Sequence, residues 1–245
     1  MGALWMLAAG LLFACMGVFV KLGAAYFSSG ELVFYRSLFG LAALLFVAGG
    51  RNMRLATPHW RSHLWRGLSG LASLASYFHV ITVLPLATAV TLNYTSPLFL
   101  AIVTTWLLRE HLHWPLAVAV VVGFLGIALV LRPTLHEDQL GVGLLGLISG
   151  FFACLAYINV RELGRRGEPD WRVVFYFTLV STVLTGLWML TQGFHPLGAV
   201  NIPLLLGLGL TATLAQLALT RAYRTGKTLV VGSLSYSTVV FSSLF

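Results

Sequence analysis

The residues of this sequence with the clearest chemical potential are the charged and polar side chains inside long apolar runs. Arg36 lies about one turn inside the second run, where an unpaired charge costs roughly 2.5–3.5 kcal/mol on membrane-insertion scales. A guanidinium binds planar oxyanions bidentately, so either Glu31 or the carboxylate or phosphate of a solute could neutralise it. Lys21 ends the first run and either reaches the membrane surface or lines a solute pathway. If these two cations bind a solute, that solute is anionic or zwitterionic.

Polar side chains also form stripes along four of the runs. Ser69, Ser73 and Ser76 share one helical face because they follow i, i+4, i+7 spacing, and Tyr77 lies beside them. Such stripes indicate a hydrated pathway, although Ser and Thr in membrane helices also bond to their own backbone or join neighbouring helices. The predicted solute-binding residues are Lys21, Arg36, Ser73, Tyr77, Thr91, Asn93, Tyr157, Gln216, Ser233 and Tyr236.

Pro97 lies within the fourth run and predicts a kink there. Proline has no backbone N–H, so the carbonyl of Asn93 loses its usual helical partner. The kink either exposes a free acceptor near mid-membrane or serves packing alone. Val239 occupies the matching position in the second half of the chain, so the halves are expected to differ here.

Composition places the protein in a membrane. Of its 245 residues, 58% are hydrophobic and only 9% are charged, with a mean hydropathy of +0.90, whereas soluble domains are roughly a quarter charged. The basic residues lie between apolar blocks, so the net charge of +8 indicates membrane topology and not nucleic-acid binding. Cys15 and Cys154 lie deep in apolar runs and form no disulfide framework.

Nine apolar segments are long and continuous enough to be membrane helices, and none alternates as a barrel strand would. The sequence therefore predicts an all-α polytopic bundle. The segments are 3–21, 32–49, 64–84, 86–108, 114–131, 140–160, 173–191, 203–220 and 229–245.

The distribution of Lys and Arg predicts the orientation of these helices. With a cytoplasmic N-terminus, twelve basic residues fall in cytoplasmic loops and flanks, against two, Lys21 and Arg132, on the other side. We therefore predict a multi-pass protein of the cell (inner or plasma) membrane. The twelve are Arg51, Arg54, Arg61, Arg66, Arg109, Arg161, Arg165, Arg166, Arg172, Arg221, Arg224 and Lys227.

Three short motifs recur in the same order at offsets of 139, 141 and 142 residues. Phe13-Ala14-Cys15 returns as 152–154, Phe34-Tyr35 as 175–176, and the polar run 93–96 as 235–238. Five spans per repeat is an odd number, so the two repeats, 1–133 and 140–245, should insert with opposite orientation, as in many secondary transporters. The counterpart of residues 104–132, which contains a tenth helix, is missing, so we expect a truncated chain with four of five helices in its second repeat.

The sequence resembles the EamA-like branch of the drug/metabolite transporter superfamily. The resemblance rests on residues 14–21, 30–36, 94–99, 109–110 and 123–133, in this order and spacing. It implies ten helices in two repeats of five, a central cavity lined mainly by helices one, three, four, six, eight and nine, and export or exchange of small metabolites or drugs. The lost tenth helix departs from this pattern and makes activity of the chain an open question.

We therefore predict a secondary transporter working by alternating access, with no catalytic residues, metal or cofactor. Arg109-Glu110-His111-Leu112-His113 lacks the i, i+4 His pair of a helical zinc site. Other hypotheses are an inactive truncated carrier, a membrane interaction subunit, and a membrane-embedded enzyme acting on a lipid-linked substrate. Gly146 and Gly150 could pack within the monomer or against a partner, so a homodimer stays open.

Overall fold

The computed structural model describes residues 2–50, 53–106, 114–131, 139–199 and 201–242, and these residues form helices and connections without a strand. Within the described residues, each predicted apolar segment coincides with one helix or with two consecutive ones, which confirms the all-α polytopic fold. Residues 107–108 and 243–245 of the fourth and ninth segments lie outside the described part. The helices are α1 (Gly2–Gly23), α2 (Ser29–Gly50), α3 (Trp60–Val83), α4 (Leu86–Asn93), α5 (Ser96–Trp106), α6 (Trp114–Leu131), α7 (Leu140–Arg165), α8 (Asp170–Gln192), α9 (Asn201–Thr225), α10 (Thr228–Leu234) and α11 (Ser237–Ser242).

Apolar side chains cover the outside of this bundle as well as its core. Leu4, Phe46 and Trp106 are exposed, as expected of a surface that faces lipid. Among the described residues, six helical stretches are long and apolar enough to cross a membrane: α1, α2, α4 with α5, α7, α8 and α9. The chain is a multi-pass membrane protein.

The two halves of the chain interlock. Helix α1 packs most extensively against α9, α3 against α7, and α2 against α8. Ala9, Ala218 and Ala222 are buried between α1 and its neighbours, where small side chains let helices approach closely. An inverted repeat that relates α1, α2 and α3 to α7, α8 and α9 would produce this set of contacts. The predicted boundary between the two repeats, from 133 to 140, stays a prediction, because residues 132–138 lie outside the described part of the chain.

The fourth and the ninth predicted segments are each interrupted by a short break between two helices. Helix α4 ends at Asn93 and α5 begins at Ser96, whereas α10 ends at Leu234 and α11 begins at Ser237. The prediction that the halves would differ here was wrong, because the half without a proline breaks at the matching place. Pro97 is the second residue of α5, within the first turn, where a missing N–H is tolerated.

A hydroxyl group at each break accounts for this similarity. Thr95 Oγ1 donates to the carbonyl of Leu92 at 2.7 Å, and Ser235 Oγ donates to the carbonyl of Gly232 at 2.6 Å. Hydroxyl groups that bond to nearby backbone carbonyls compete with the backbone hydrogen bonds of a helix and bend the helix. The breaks therefore depend on local hydrogen bonding in both halves, and proline adds to it only in the first.

Glycines of α7 pack against the first of these breaks, within the monomer. A Cβ on Gly146 would lie 2.8 Å from the side chain of Leu92, and a Cβ on Gly150 would lie 3.0 Å from the carbonyl oxygen of Asn93. Only glycine lets α7 come this close to the C-terminal end of α4. Of the two roles predicted for this glycine pair, the structure shows packing inside the chain.

Gly150→Ala is expected to destabilise the protein by about 1–3 kcal/mol, because the new methyl group would lie 2.5 Å from Thr95 Oγ1 and push the broken helix away. Gly126→Ala is the matched control, since a Cβ at Gly126 meets nothing within 4 Å. Thermal unfolding of both purified variants in the same detergent measures the difference. Equal melting temperatures would contradict the close packing.

A buried carboxylate ties the two halves together at one end of the bundle. Glu31 is 0% exposed and accepts hydrogen bonds from the backbone N–H of Ser28 at 2.8 Å and of His195 at 2.6 Å. His195 Nδ1 lies 2.8 Å from the same carboxylate. The Ser28 hydroxyl accepts from the N–H of Glu31, so the two residues also form a capping box that starts α2. We call this group the Glu31 clamp; it joins the start of α2 to the loop between α8 and α9.

A second buried carboxylate makes the corresponding connection at the other end. Glu168 accepts a short hydrogen bond from Thr57 and a bond of 2.9 Å from Arg172 Nη1, and His63 Nε2 lies 3.4 Å away. Arg172 Nη2 also donates to the carbonyl of Arg54 at 2.6 Å. We call this group the Glu168 clamp; it joins the start of α8 to the loop between α2 and α3. The two clamps thus connect equivalent elements at opposite ends.

Glu168→Gln is expected to lower the free energy of unfolding by about 1–3 kcal/mol at neutral pH, because Arg172 would lose its charged partner. Burial alone would raise the pKa of Glu168, but the hydrogen bonds from Thr57 and Arg172 outweigh it and hold the pKa below 4.5. A lowered folded-state pKa stabilises the protein above 4.5, and this stabilisation is lost as pH falls through the folded-state value. The difference in free energy of unfolding between wild type and Glu168→Gln should therefore shrink as the pH falls below 4.5.

Denaturant unfolding at pH 7 and at stepwise lower pH measures this effect. Glu162→Gln is the control, because the Glu162–Arg166 pair is about half exposed and exposed pairs contribute less than about 1 kcal/mol. A difference that stays constant down to acidic pH would show that the carboxylate charge of Glu168 does not act as described.

Candidate functional site

A cavity lies between the two halves in the middle of the bundle. It contains about 780 Å³ not filled by protein atoms, including space open to solvent. Side chains from α1, α2, α3, α4, α7, α8, α9 and α11 line it. The lining residues are Phe13, Met16, Gly17, Arg36, Arg66, Gly70, Ser73, Leu74, Tyr77, Leu86, Val90, Asn93, Tyr94, Ala153, Ala156, Tyr157, Phe177, Gln216, Thr238 and Ser242.

All six helices that the family resemblance implied contribute to this lining, together with two that it did not. Arg36 comes from α2 and Phe177 from α8, the second and seventh predicted segments. The α2–α8 contact places both residues at the interface between the halves. The second helix of each half is therefore part of the cavity wall.

Six of the ten predicted binding residues lie in the cavity wall, and four do not. Those in the wall are Arg36, Ser73, Tyr77, Asn93, Tyr157 and Gln216. Lys21 donates to the carbonyls of Ile81 and Leu84 and thereby satisfies the end of α3. The other three, Thr91, Ser233 and Tyr236, each donate to a backbone carbonyl, of Ala87, Val230 and Val120 respectively.

Many of the striped hydroxyl groups bond to their own helix, as one of the two interpretations predicted. The eighth run carries a similar stripe of Thr213, Gln216 and Thr220. Ser69 donates to the carbonyl of Trp65 and Thr213 to that of Gly209, each four residues earlier. These hydroxyls are thus engaged with backbone carbonyls. Ser73 and Gln216 are the members of these stripes that reach the cavity.

Arg36 is buried in the cavity wall with only 3% of its surface exposed. Its Nε and Nη1 atoms have no hydrogen-bond partner within the described protein. The predicted pairing with Glu31 is not formed, because that carboxylate is held in the Glu31 clamp. Arg36 thus lines the cavity, and no carboxylate among the described residues pairs with it.

Arg66 is a cavity residue that the sequence reasoning missed. It was counted among the basic residues of cytoplasmic flanks, but it lies within α3 and is 2% exposed, so that assignment was wrong. Its Nη2 donates to Gln216 Oε1 at 3.1 Å, across to the other half. A signal was present in the sequence, because Arg66 precedes Ser69 and Ser73 at i, i+3, i+7 and extends their stripe.

The ring of Phe177 contacts both arginines. Its ring centroid is 5.5 Å from the Cζ of Arg36 and 4.4 Å from the Cζ of Arg66, both within cation–π range. The repeat offset of 141 that aligns Phe34-Tyr35 with 175–176 also aligns Arg36 with Phe177. The two side chains therefore occupy equivalent positions of the two halves and meet where α2 packs against α8.

Tyrosines and an amide form much of the remaining wall. The ring of Tyr157 stacks on Tyr223 with centroids 4.9 Å apart and an interplanar angle of 18°, which holds its orientation. Tyr77 and Tyr94 line the cavity from the first half. Asn93 Nδ2 donates to Ser149 Oγ of α7 at 3.0 Å and so joins the helix break to the other half. The cavity combines cations with flat, weakly polar surfaces.

A metal site finds no support within the described ranges, which contain no group of three or more His, Cys, Asp or Glu residues placed to hold an ion. The Arg109–His113 motif lies outside the described residues. The cavity-lining residues that the structure describes include arginines and tyrosines but no Asp, Glu, His or Cys.

A polytopic helical bundle with a polar cavity between interlocked halves is the architecture of a small-molecule carrier. The EamA-like transporter family model matches residues 1–132, more than half of the chain, and the chain belongs to this family.

Curated relatives of the chain are transporters. It is 29% identical to the pseudopaline exporter of Pseudomonas aeruginosa over 99% of this chain and 85% of that protein. It is 28% identical to the S-adenosylmethionine uptake transporter of Rickettsia conorii, over 80% of this chain and 66% of that one. A solved crystal structure shares the fold with a TM-score of 0.83 and 18% identity, covering 99% of this chain and 86% of the other. The family and the named relatives support a transporter of small molecules, and the solved structure supports the fold.

Proposed function

We propose that the protein is a secondary carrier that moves a small metabolite across the cell membrane by alternating access around the central cavity. The observation that carries the proposal is the position of the cavity, because its wall is built from both halves of the chain. Sites between repeats are opened to either side when one repeat moves against the other. Arg36, Tyr77, Tyr157 and Gln216 are the proposed solute contacts.

The two clamps are the proposed gates of this movement. Both are closed in the structure, and each joins the halves at one end of the bundle. With the N-terminus in the cytoplasm, as the basic residues predict, the Glu31 clamp closes the outer side and the Glu168 clamp the cytoplasmic side. Transport would open them in turn.

We further propose that the direction is export or exchange. The relatives named above include an exporter and an uptake transporter, so the family likeness alone is compatible with either direction. Alternating access is reversible in principle, and the solute gradients on the two sides set the net direction.

Export is tested in cells by comparing the small molecules that accumulate in the medium of expressing and non-expressing cultures. The informative variant is Ala156→Phe, because Ala156 is 3% exposed in the cavity wall and the larger ring fills the solute space. Ala42→Phe, at an exposed position of α2, is the matched control.

We expect cells that express wild type or Ala42→Phe to release metabolites that cells expressing Ala156→Phe retain. All three proteins should be present in the membrane in equal amounts and should elute alike in size-exclusion chromatography. Proteoliposomes that contain the reconstituted protein and are loaded with the metabolite should then exchange it across their membrane. Release that continues at the wild-type rate in Ala156→Phe would contradict transport through this cavity.

A further inference from the structure

The two buried arginines of the cavity wall carry unsatisfied hydrogen-bonding groups. Nε and Nη1 of both Arg36 and Arg66 have no partner in the described protein. Within the described part of the chain, Arg66 Nη2 donates a hydrogen bond to the neutral amide oxygen of Gln216. Buried polar groups in folded proteins are normally bonded, and buried charges are normally paired, so these four nitrogen atoms require an explanation.

Carboxylates of the described residues do not neutralise this pair. Glu31 is held by Ser28 and His195, and Glu168 by Thr57 and Arg172. Glu162 pairs with Arg166, and Asp170 pairs with Arg221 and Arg224. All four carboxylates lie in pairs away from the cavity, which leaves two positive charges in its wall.

The surroundings hold both guanidiniums on the same wall. Phe177 attracts both cations through its ring but brings no negative charge. Gly70 makes room for Arg66: a Cβ at this position would overlap Nη1 of Arg66 and lie 2.9 Å from Cε2 of Phe177. The arrangement therefore depends on a glycine that leaves a guanidinium-sized space beside the ring.

We infer that Arg36, Arg66 and Phe177 form an anion subsite that selects solutes with two acidic charges, as two carboxylates or one phosphate ester, on a small flat body. This inference rests on the proposed transport function and specifies its substrate class. Two negative charges on the solute neutralise both guanidiniums, whereas a monoanion leaves one guanidinium unpaired in a low-dielectric site. The flat body lies against Tyr77, Tyr94 and Tyr157.

The probes that test this inference differ in charge while the ring stays the same. Benzene-1,4-dicarboxylate and phenyl phosphate carry two acidic charges, benzoate carries one, and benzene-1,4-dicarboxamide carries none. Inorganic phosphate has the charge without the flat body. Binding of each to purified full-length chain in lipid nanodiscs is measured by calorimetry, and exchange of each is measured in proteoliposomes.

We expect the two dianions to bind at least about tenfold more tightly than the diamide, which corresponds to about 1.4 kcal/mol, with benzoate between them and inorganic phosphate weaker. Arg36→Gln and Arg66→Gln should each remove most of this preference, and the lysine variants should retain part of it because the charge remains. Gly70→Ala keeps both arginines but displaces one, so it should also lose the preference. Arg221→Gln and Gly126→Ala are the controls for charge and for glycine replacement.

Equal binding of dianions and diamide, or a preference that survives in both glutamine variants, would overturn the inference. Inorganic phosphate binding as tightly as phenyl phosphate would overturn the part that concerns the flat body. The proposed function has a separate outcome: arginine-dependent binding without exchange in proteoliposomes would refute transport and leave the subsite standing. Exchange without a charge preference would refute the subsite and leave transport standing.

Discussion

Arg66→Met is expected to reduce transport of an acidic solute about 10- to 100-fold and to raise the melting temperature of the protein. A charge-assisted hydrogen bond contributes about 1.5–3 kcal/mol, which sets the size of the loss. The gain in stability has a different cause, because Arg66 is 2% exposed and has no carboxylate partner among the described residues. Methionine is similar in length, and its sulfur packs well beside an aromatic ring such as Phe177.

The two effects are measured on the same preparations, as exchange in proteoliposomes and thermal unfolding in detergent. Each kcal/mol gained should raise the melting temperature of a domain of this size by about 2–4 °C. Arg221→Met is the control, since that arginine pairs with Asp170 outside the cavity, and it should leave transport intact. Loss of transport together with a lower melting temperature would instead assign Arg66 a structural role.

Cross-linking either clamp is expected to stop transport almost completely. Ser28 and His195 both bond to the carboxylate of Glu31, and Thr57 and Arg172 both bond to that of Glu168. Cysteines in either pair of positions therefore lie within reach of a short bis-methanethiosulfonate reagent. A bridge that keeps one end of the bundle closed prevents the solute from crossing there, whichever direction transport takes.

The experiment uses a background in which Cys15 and Cys154 are alanine, because these are the two natural cysteines. Reduction of the bridge should restore transport in both double-cysteine proteins. A cysteine pair at Glu162 and Arg166 is the control, because these positions lie four residues apart on one helix and their bridge joins no separate elements. Undiminished transport by fully bridged 28–195 or 57–172 protein would show that the corresponding clamp is not a gate.

The membrane architecture follows from local properties of the sequence. Segment length and apolar content are sufficient to identify a membrane helix, because the bilayer has a fixed thickness and backbone groups must be bonded within the segment. All nine predicted segments accordingly coincide with helices of the structure. The recurrence of short motifs at nearly one offset likewise indicated that α1 and α2 correspond to α7 and α8. The main contacts, of α1 with α9, α2 with α8 and α3 with α7, form the set that an inverted repeat would produce.

The candidate site could be predicted only where polar residues repeat along one helix face. Ser73, Tyr77 and Gln216 reach the cavity as their stripes suggested. Thr91 is as regularly spaced, between Thr88 and Thr95, but it bonds to its own backbone. Helical periodicity places a residue on a face and does not say whether a neighbouring helix, lipid or cavity covers that face. That choice is made by packing.

Tertiary structure alone decided the electrostatics of the cavity. Glu31 is five positions from Arg36 in the chain, but its partner is His195, 164 positions away. Arg66 is near the beginning of its helix, where basic residues usually reach the membrane surface, yet the close packing of α3 against α7 and α8 turns it inward. Charge pairing depends on separations of a few ångströms between distant segments, and these separations exist only once the two halves have interlocked.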